Sequence, residues 1–336
     1  MSLWPASKSL IKRSLAGSRV LRHAGRFVEC AVAILMYHSV MDDPQAHAYS
    51  LGDIIHSTAT FRKHMELIGR SYHPVTLDDV LLFVSGEKHL PPRAVVVTFD
   101  DGYADNAEVV APVLERYGIP GVFYLTVDCV DNASPPWVAS LRYAFATTKH
   151  KLWPDQEGKL WPLSTPEQRN HAFLAACETC ARTLGAAQRQ FVQAIDSQLE
   201  SSLSLSQHRL MMSWQQARQL IRRGHTVGSH TMTHPNLAHV KDEEMRLELA
   251  HSKQRLEQEL AAPVHHFAYP CPILQPHWTP ATVAVCRRLG YRTAVTTNSG
   301  PVHKGDNPLY LRRVPAATEA ENFRWKLDCT FLGRSL

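Results

Sequence analysis

The chain has 336 residues, 44% of them hydrophobic and 20% charged, the balance of a globular protein with length for one large domain or two ordinary ones. No stretch of 18 apolar residues runs without a charge, which argues against a membrane-spanning helix. The net charge of +5 arises at the N-terminus: residues 1–28 carry Lys8, Lys12, Arg13, Arg19, Arg22 and Arg26 and no acid, and without those six the chain has 30 basic against 31 acidic side chains, so the body carries no nucleic-acid footprint.

Seven cysteines, an odd number, point to a reducing compartment rather than a disulfide scaffold. In the N-terminal tail Leu10, Ile11, Leu15, Leu21, Ala24, Phe27 and Val28 fall roughly at helical spacing between the basic groups. Residues 1–30 therefore read as a basic leader helix, either solvated or lying on an anionic membrane surface. The tail lacks the uninterrupted apolar core of a secretory signal, and an organelle transit segment is the other reading. The expectation is a cytoplasmic protein with peripheral membrane contact through residues 1–28.

Ala31–Tyr37 is a continuous apolar run that reads as a buried strand and ends at His38. Phe61–Ser71 reads as a helix with Phe61, Met65 and Ile68 on one face, and Leu77–Val84 as a second, stopped by Gly86 and Pro91-Pro92. Ala94–Phe99, β-branched and unbroken, is the most strand-like segment, and it runs into Asp100-Asp101-Gly102. Asn106–Tyr117 reads as a helix closing at Gly118, and Gly121–Val127 as the next strand. Residues 131–212 hold Pro135-Pro136, Pro154, Pro162 and Pro166, helical stretches at 167–184 and 186–200, and no strong strand; they read as a helical insertion. Alternation then resumes: helix 214–223, strand His225–Gly228, helix 241–260, strand Val264–Ala268, helix 279–289, strand Arg292–Thr296 and a last strand near Leu309–Val314. Strands alternating with helices argue for a parallel α/β architecture, a closed or incomplete barrel over residues 31–330, with its chemistry at the C-terminal strand ends.

Three clusters at strand ends could carry that chemistry. Asp100 and Asp101 follow a buried apolar strand, where two adjacent carboxylates are costly unless something uses them. On an extended chain the two point opposite ways and can serve different partners; the plainer reading is a pair of helix caps for residue 106 onward. His230 and His234 stand four apart, the spacing that brings two imidazoles to one metal ion on a helical turn, and Pro235 would limit that turn. Against this stands chance, since the chain has 19 histidines. His38 closes the first strand. Together the clusters supply one carboxylate and two imidazoles for a metal, one spare carboxylate and one spare histidine, the inventory of a mononuclear metallohydrolase. Cys177 and Cys180 read as core packing. Trp137, Trp153 and Trp161 could stack on sugar rings or fill the core of the insertion.

The segments MYHSV (36–40), TFDDGY (98–103), GSHTMTH (228–234) and FAYP (267–270) occur in this order. In them the chain resembles the NodB-type polysaccharide deacetylases, carbohydrate esterase family 4, and most resembles the branch opening with an MYH strand that includes poly-N-acetylglucosamine deacetylases. The resemblance covers roughly residues 31–130 and 210–315. It implies a distorted (β/α)7-8 barrel and one divalent ion, zinc first with nickel or cobalt as alternatives, held by Asp101, His230 and His234. It further implies Asp100 as the base that activates the attacking water, His38 as the acid, the Cys271 amide as an oxyanion donor, and Arg313 or Arg312 as the group orienting Asp100. The family commonly continues FAYP with Tyr-Gly, where this chain has Cys271-Pro272, and other branches place an arginine near Phe267 or Ala268. The implied activity is release of acetate from an N-acetylated oligo- or polysaccharide, with no nucleic-acid partner. Two alternatives stay open: a related C–N hydrolase acting on a small amide, and a glycan-binding homologue that has lost turnover.

Overall fold

The computed structural model describes residues 31–201, 210–317 and 319–332, so the leader read over residues 1–30 lies outside the described residues. Seven parallel strands form the centre: β1 (Ala31–Tyr37), β2 (Ala94–Phe99), β3 (Gly121–Leu125), β4 (Thr226–Ser229), β5 (His266–Ala268), β6 (Thr293–Ser299) and β7 (Leu311–Pro315). Each pairs with the next in chain order, and β7 pairs back with β1, which closes the barrel. The closure is uneven. β1 and β2 run in register from Val32 opposite Ala94 to Tyr37 opposite Phe99, whereas β4 and β5 meet only at Ser229 and Phe267. The register also shifts along the β6–β7 pair between Val295 and Ser299. The expected distorted barrel is thus formed, with seven strands.

The strands β1, β2 and β3 read as nearly unbroken apolar runs because both faces are buried. One set of alternate residues, among them Val32, Ile34, Val96, Val122, Ala268 and Val295, meets inside the barrel. The other set, including Leu35, Tyr37, Val97, Phe99, Phe123 and Phe267, packs against the surrounding helices. Each such large side chain withdrawn from water contributes about 1.5–3 kcal/mol. The Leu77–Val84 helix opens on a Thr76/Asp79 capping box. It sends Leu77, Val80, Phe83 and Val84 into the inner cluster, so it closes the N-terminal end of the barrel. The strand ends opposite this stopper stay open for a site.

Between β3 and β4 the helices Trp137–Thr147, Pro166–Cys180 and Gly185–Gln198 form a separate core that holds Trp137, Phe145, Trp153, Phe173, Cys177, Cys180 and Ile195. Trp137 and Trp153 are core residues there, and so are both cysteines. An antiparallel hairpin of Leu152–Pro154 and Leu160–Pro162 lies within this region, where the sequence suggested no strand. Its strands have three residues each, with a proline at each C-terminal end, and are registered by the Trp153–Trp161 pair. Strands that short leave no period for a pattern to reveal. The Ala320–Phe331 helix was also not foreseen. It docks through Phe323, stacked 3.8 Å from the His64 ring, and through Asp328, which accepts from Tyr72 Oη at 2.9 Å and Arg93 at 2.7 Å. Among the described residues six cysteines are free, and no helix is long and apolar enough to cross a membrane.

Gly228 in β4 marks the tightest approach of strand to neighbour. A Cβ there would come within 2.5 Å of the Tyr124 ring and 2.8 Å of the His266 carbonyl oxygen. Gly228→Ala should destabilise the fold by about 1–3 kcal/mol through overpacking. Thermal unfolding followed by circular dichroism should show a melting temperature several degrees lower; an unchanged value would show that β4 has room for a methyl group.

Candidate active site

The Asp100 amide bonds the Tyr37 carbonyl at 3.0 Å, which carries the β1–β2 ladder one residue past its end. The chain then turns sharply: Asp101 and Gly102 take φ of 75° and 88°, and the Gly102 amide folds back on the Asp100 carbonyl at 3.0 Å. The turn sends the two carboxylates to different partners, and neither caps the helical segment at Asn106. Asp100 meets Arg313 of β7 in a bidentate pair, with Nη1–Oδ1 and Nη2–Oδ2 both 2.7 Å. The Arg313 side chain is fully buried, and its Nε donates to the Thr296 carbonyl at 2.8 Å. Arg312 points elsewhere, to Asp306.

Asp101 faces the two histidines. Its Oδ1 lies 3.5 Å from His230 Nε2 and 3.4 Å from His234 Nε2, and the donor atoms of the three residues all fall within 4.8 Å of one another. The expected helical turn is not what brings the rings together. Residues 230–235 form a loop, with Thr231 and His234 in the left-handed region at φ of 70° and 58°. The His234 amide bonds Thr231 Oγ1 at 3.0 Å. Glu248, buried on the Asp242–Leu260 helix, accepts from the Met232 and Thr233 amides at 3.0 Å each and from Thr233 Oγ1 at 2.8 Å. These bonds replace the ladder a helix would have supplied and set the rings 5.0 Å apart. Trp137 Nε1 donates to the His234 carbonyl at 2.9 Å, tying the insertion to the same loop.

Burial and Asp100 push the Asp101 carboxyl up to about 8, against the pull of the Tyr103 hydroxyl bonded to it. Burial lowers His230, and burial together with His230 lowers His234 well below its ordinary value. Asp100 goes the other way: burial opposes its charge, but Arg313, His230 and His38 hold it well below the usual carboxylate range. His230 Nδ1 lies 2.8 Å from the Ala268 carbonyl, which assigns it the proton and leaves Nε2 as a lone pair. Asp101 Oδ1 is buried without a hydrogen-bond partner. A partnerless carboxylate oxygen between two neutral imidazoles, each held back from its charged form, is a donor set that a divalent cation would satisfy. The three residues fit such an ion.

His38 Nε2 stands 3.9 Å from Asp100 Oδ2, and burial, with Arg313 and His230 adding to it against Asp100, lowers His38 to about 4. Cys271 and Pro272 line the same cleft. Among the described residues no hydrogen bond takes up the Cys271 amide, while its Sγ contacts His277 Nε2 at 3.1 Å. The cleft thus gathers Asp100, Asp101, His230, His234, His38 and Cys271 at the C-terminal end of the barrel, with Arg313 behind Asp100. Sequence reasoning missed Glu248 and the pair Asp105 and Asn106. Asp105 accepts from the Val40 amide at 3.1 Å and from Ser39, and Asn106 Nδ2 donates to the His38 carbonyl at 2.8 Å. The pair latches the end of β1, and burial pushes Asp105 up to about 7.

The polysaccharide deacetylase family profile matches residues 87–294. YxkH of Bacillus subtilis, which carries a polysaccharide deacetylase name, is 30% identical over 93 residues, 27% of this chain. The matched stretch spans only 30% of that relative. The deacetylase PplD of Streptococcus pyogenes, solved in complex with acetate, superposes with a TM-score of 0.58 at 17% identity, over 88% of this chain and 96% of that one. IcaB from Ammonifex degensii gives 0.58 at 18% identity, over 90% of this chain and 98% of that one. Both likenesses bear on the fold.

Glu248→Ala removes the acceptor that holds the loop between the two histidines. Divalent-ion affinity, read by competition with a chelator, should fall about 10–100-fold. An affinity equal to the parent's in a folded variant would show that the loop holds its own shape.

Proposed function

The chain belongs to the polysaccharide deacetylase family, and from that premise we propose that it is a metal-dependent N-deacetylase releasing acetate from an N-acetylated glycan or glycan precursor. The observation that carries the reading is the division of two adjacent carboxylates: Asp101, whose Oδ1 lies without a hydrogen-bond partner between His230 and His234, and Asp100 clamped by Arg313. Asp101, His230 and His234 would hold the ion, zinc first with nickel or cobalt as alternatives. Bound there, such an ion polarises the acetamide carbonyl and lowers the pKa of water toward neutrality.

The chain's own groups do the rest. Arg313 keeps Asp100 ionised and fixes its plane, so one carboxylate oxygen is ready to take a proton from the attacking water. The water oxygen bonds to the acetyl carbon, and the Cys271 amide donates to the oxygen that gains negative charge. His38 is neutral in the free protein; the proton that Asp100 takes from the water passes to its Nε2, 3.9 Å from Asp100 Oδ2, and His38 then delivers that proton to the nitrogen as the C–N bond breaks. Acetate and a free amine result. The Cys271-Pro272 pair alters the loop's side chains but leaves the backbone donor in place.

Metal analysis of the purified chain should find about one divalent ion per chain, the stoichiometry of a single three-ligand site. Asp100→Asn should lower acetate release from chito-oligomers by about 10²–10⁴-fold with the ion retained, whereas Asp101→Asn and His234→Ala should lose the ion. Full activity in Asp100→Asn would overturn the mechanism. Acetate released from small amides but not from chito-oligomers would transfer the site to the small-amide alternative.

A further inference from the structure

Six ionisable side chains besides cysteine and tyrosine line the cleft: His38, Asp100, Asp101, Arg142, His230 and His234. Five of them are accounted for above. Arg142 is left over, and among the described residues no carboxylate pairs with it. We propose that Arg142 reads a negatively charged group, a carboxylate or a phosphate, carried by the glycan beside the N-acetyl group that is cut; this takes the N-deacetylase reading as its frame.

Arg142 is exposed, and its helix and two neighbours orient the guanidinium. Its helix, Trp137–Thr147, is pinned to the metal loop by Trp137 Nε1 on the His234 carbonyl at 2.9 Å. Ser50 Oγ bonds the Ala139 carbonyl of the same helix at 3.4 Å. The guanidinium carbon sits 5.0 Å from the Phe173 ring centroid. It also lies against Gly52, where a Cβ would come within 3.2 Å of it and where φ is +60°. A glycine at that point lets the backbone approach the guanidinium, and the ring gives it a second wall. These two neighbours remove part of the rotamer freedom that binding would otherwise take from a long, exposed cation. Among the described residues no acceptor takes up the planar fork of N–H donors, which suits a carboxylate or phosphate. An arginine that served only solubility would need neither wall, and its place would not be the cleft that Asp101, His230 and His234 share.

The test is direct binding by calorimetry to the metal-loaded full chain, with N-acetylglucosamine, its 1-phosphate and N-acetylmuramic acid as neutral, phosphate and carboxylate probes. The parent should bind at least one charged probe roughly tenfold tighter than the neutral one, as a charge-assisted pair would give. Arg142→Gln should erase that gap and leave the neutral probe and the melting temperature unchanged. The charged probe with the larger gap identifies the source of the anion. No gap in the parent, or a gap that survives in Arg142→Gln because the ion alone reads the anion, overturns the proposal. Normal acetate release from chito-oligomers without a gap removes the subsite and spares the deacetylase. A gap that depends on Arg142 in a chain that releases no acetate keeps the subsite and removes the deacetylase.

Discussion

A guanidinium with no exposed surface, gripping one carboxylate by two bonds, is the constraint on which the open end of the barrel depends. Arg313 comes from the last strand and Asp100 from the end of the second, so the pair ties β7 to β2 across the mouth. Two charges taken out of water are costly to hold, and removing either alone would strand the other at a cost of about 3–5 kcal/mol. The pair also sorts its neighbourhood. With Asp100 kept ionised, the next residue cannot easily be ionised too, and Asp101 is driven the other way by burial and by that charge.

The barrel was legible because its strands are buried on both faces, so Ala31–Tyr37 and Ala94–Phe99 stand out as apolar runs without any alignment. The strand ends were legible for the same reason: polar residues following such runs have to be used. The route by which His230 and His234 converge was not. A spacing of four suggests a helical turn, but two left-handed residues and a glutamate fourteen or more positions away produce the same convergence from a loop. Spacing reports which residues can meet, not the backbone that lets them. The choice between Arg312 and Arg313 likewise turned on the facing of β7: alternate residues point inward, and only Arg313 shares the interior with Asp100.

The residues that escaped notice share one property. Glu248, Asp105, Asn106 and Arg142 act on segments distant in sequence or on a wall built by other elements, and nothing local marks them. Glu248 sits within a helix rich in acids, most of them solvated. Trp137 could have been a sugar platform by type; its ring is core, while its indole N–H holds the carbonyl of His234. The insertion between β3 and β4 is thus joined to the site by a hydrogen bond as well as by packing, and it delivers Arg142 to the cleft.

The Leu77–Val84 helix that stoppers the lower end has a consequence for traffic. Side chains such as Ile34, Val96 and Val295 fill the interior, so the barrel is a plug rather than a tube. Whatever reaches the cleft lined by His38, Asp100 and His230 arrives over the rim and leaves by the same way.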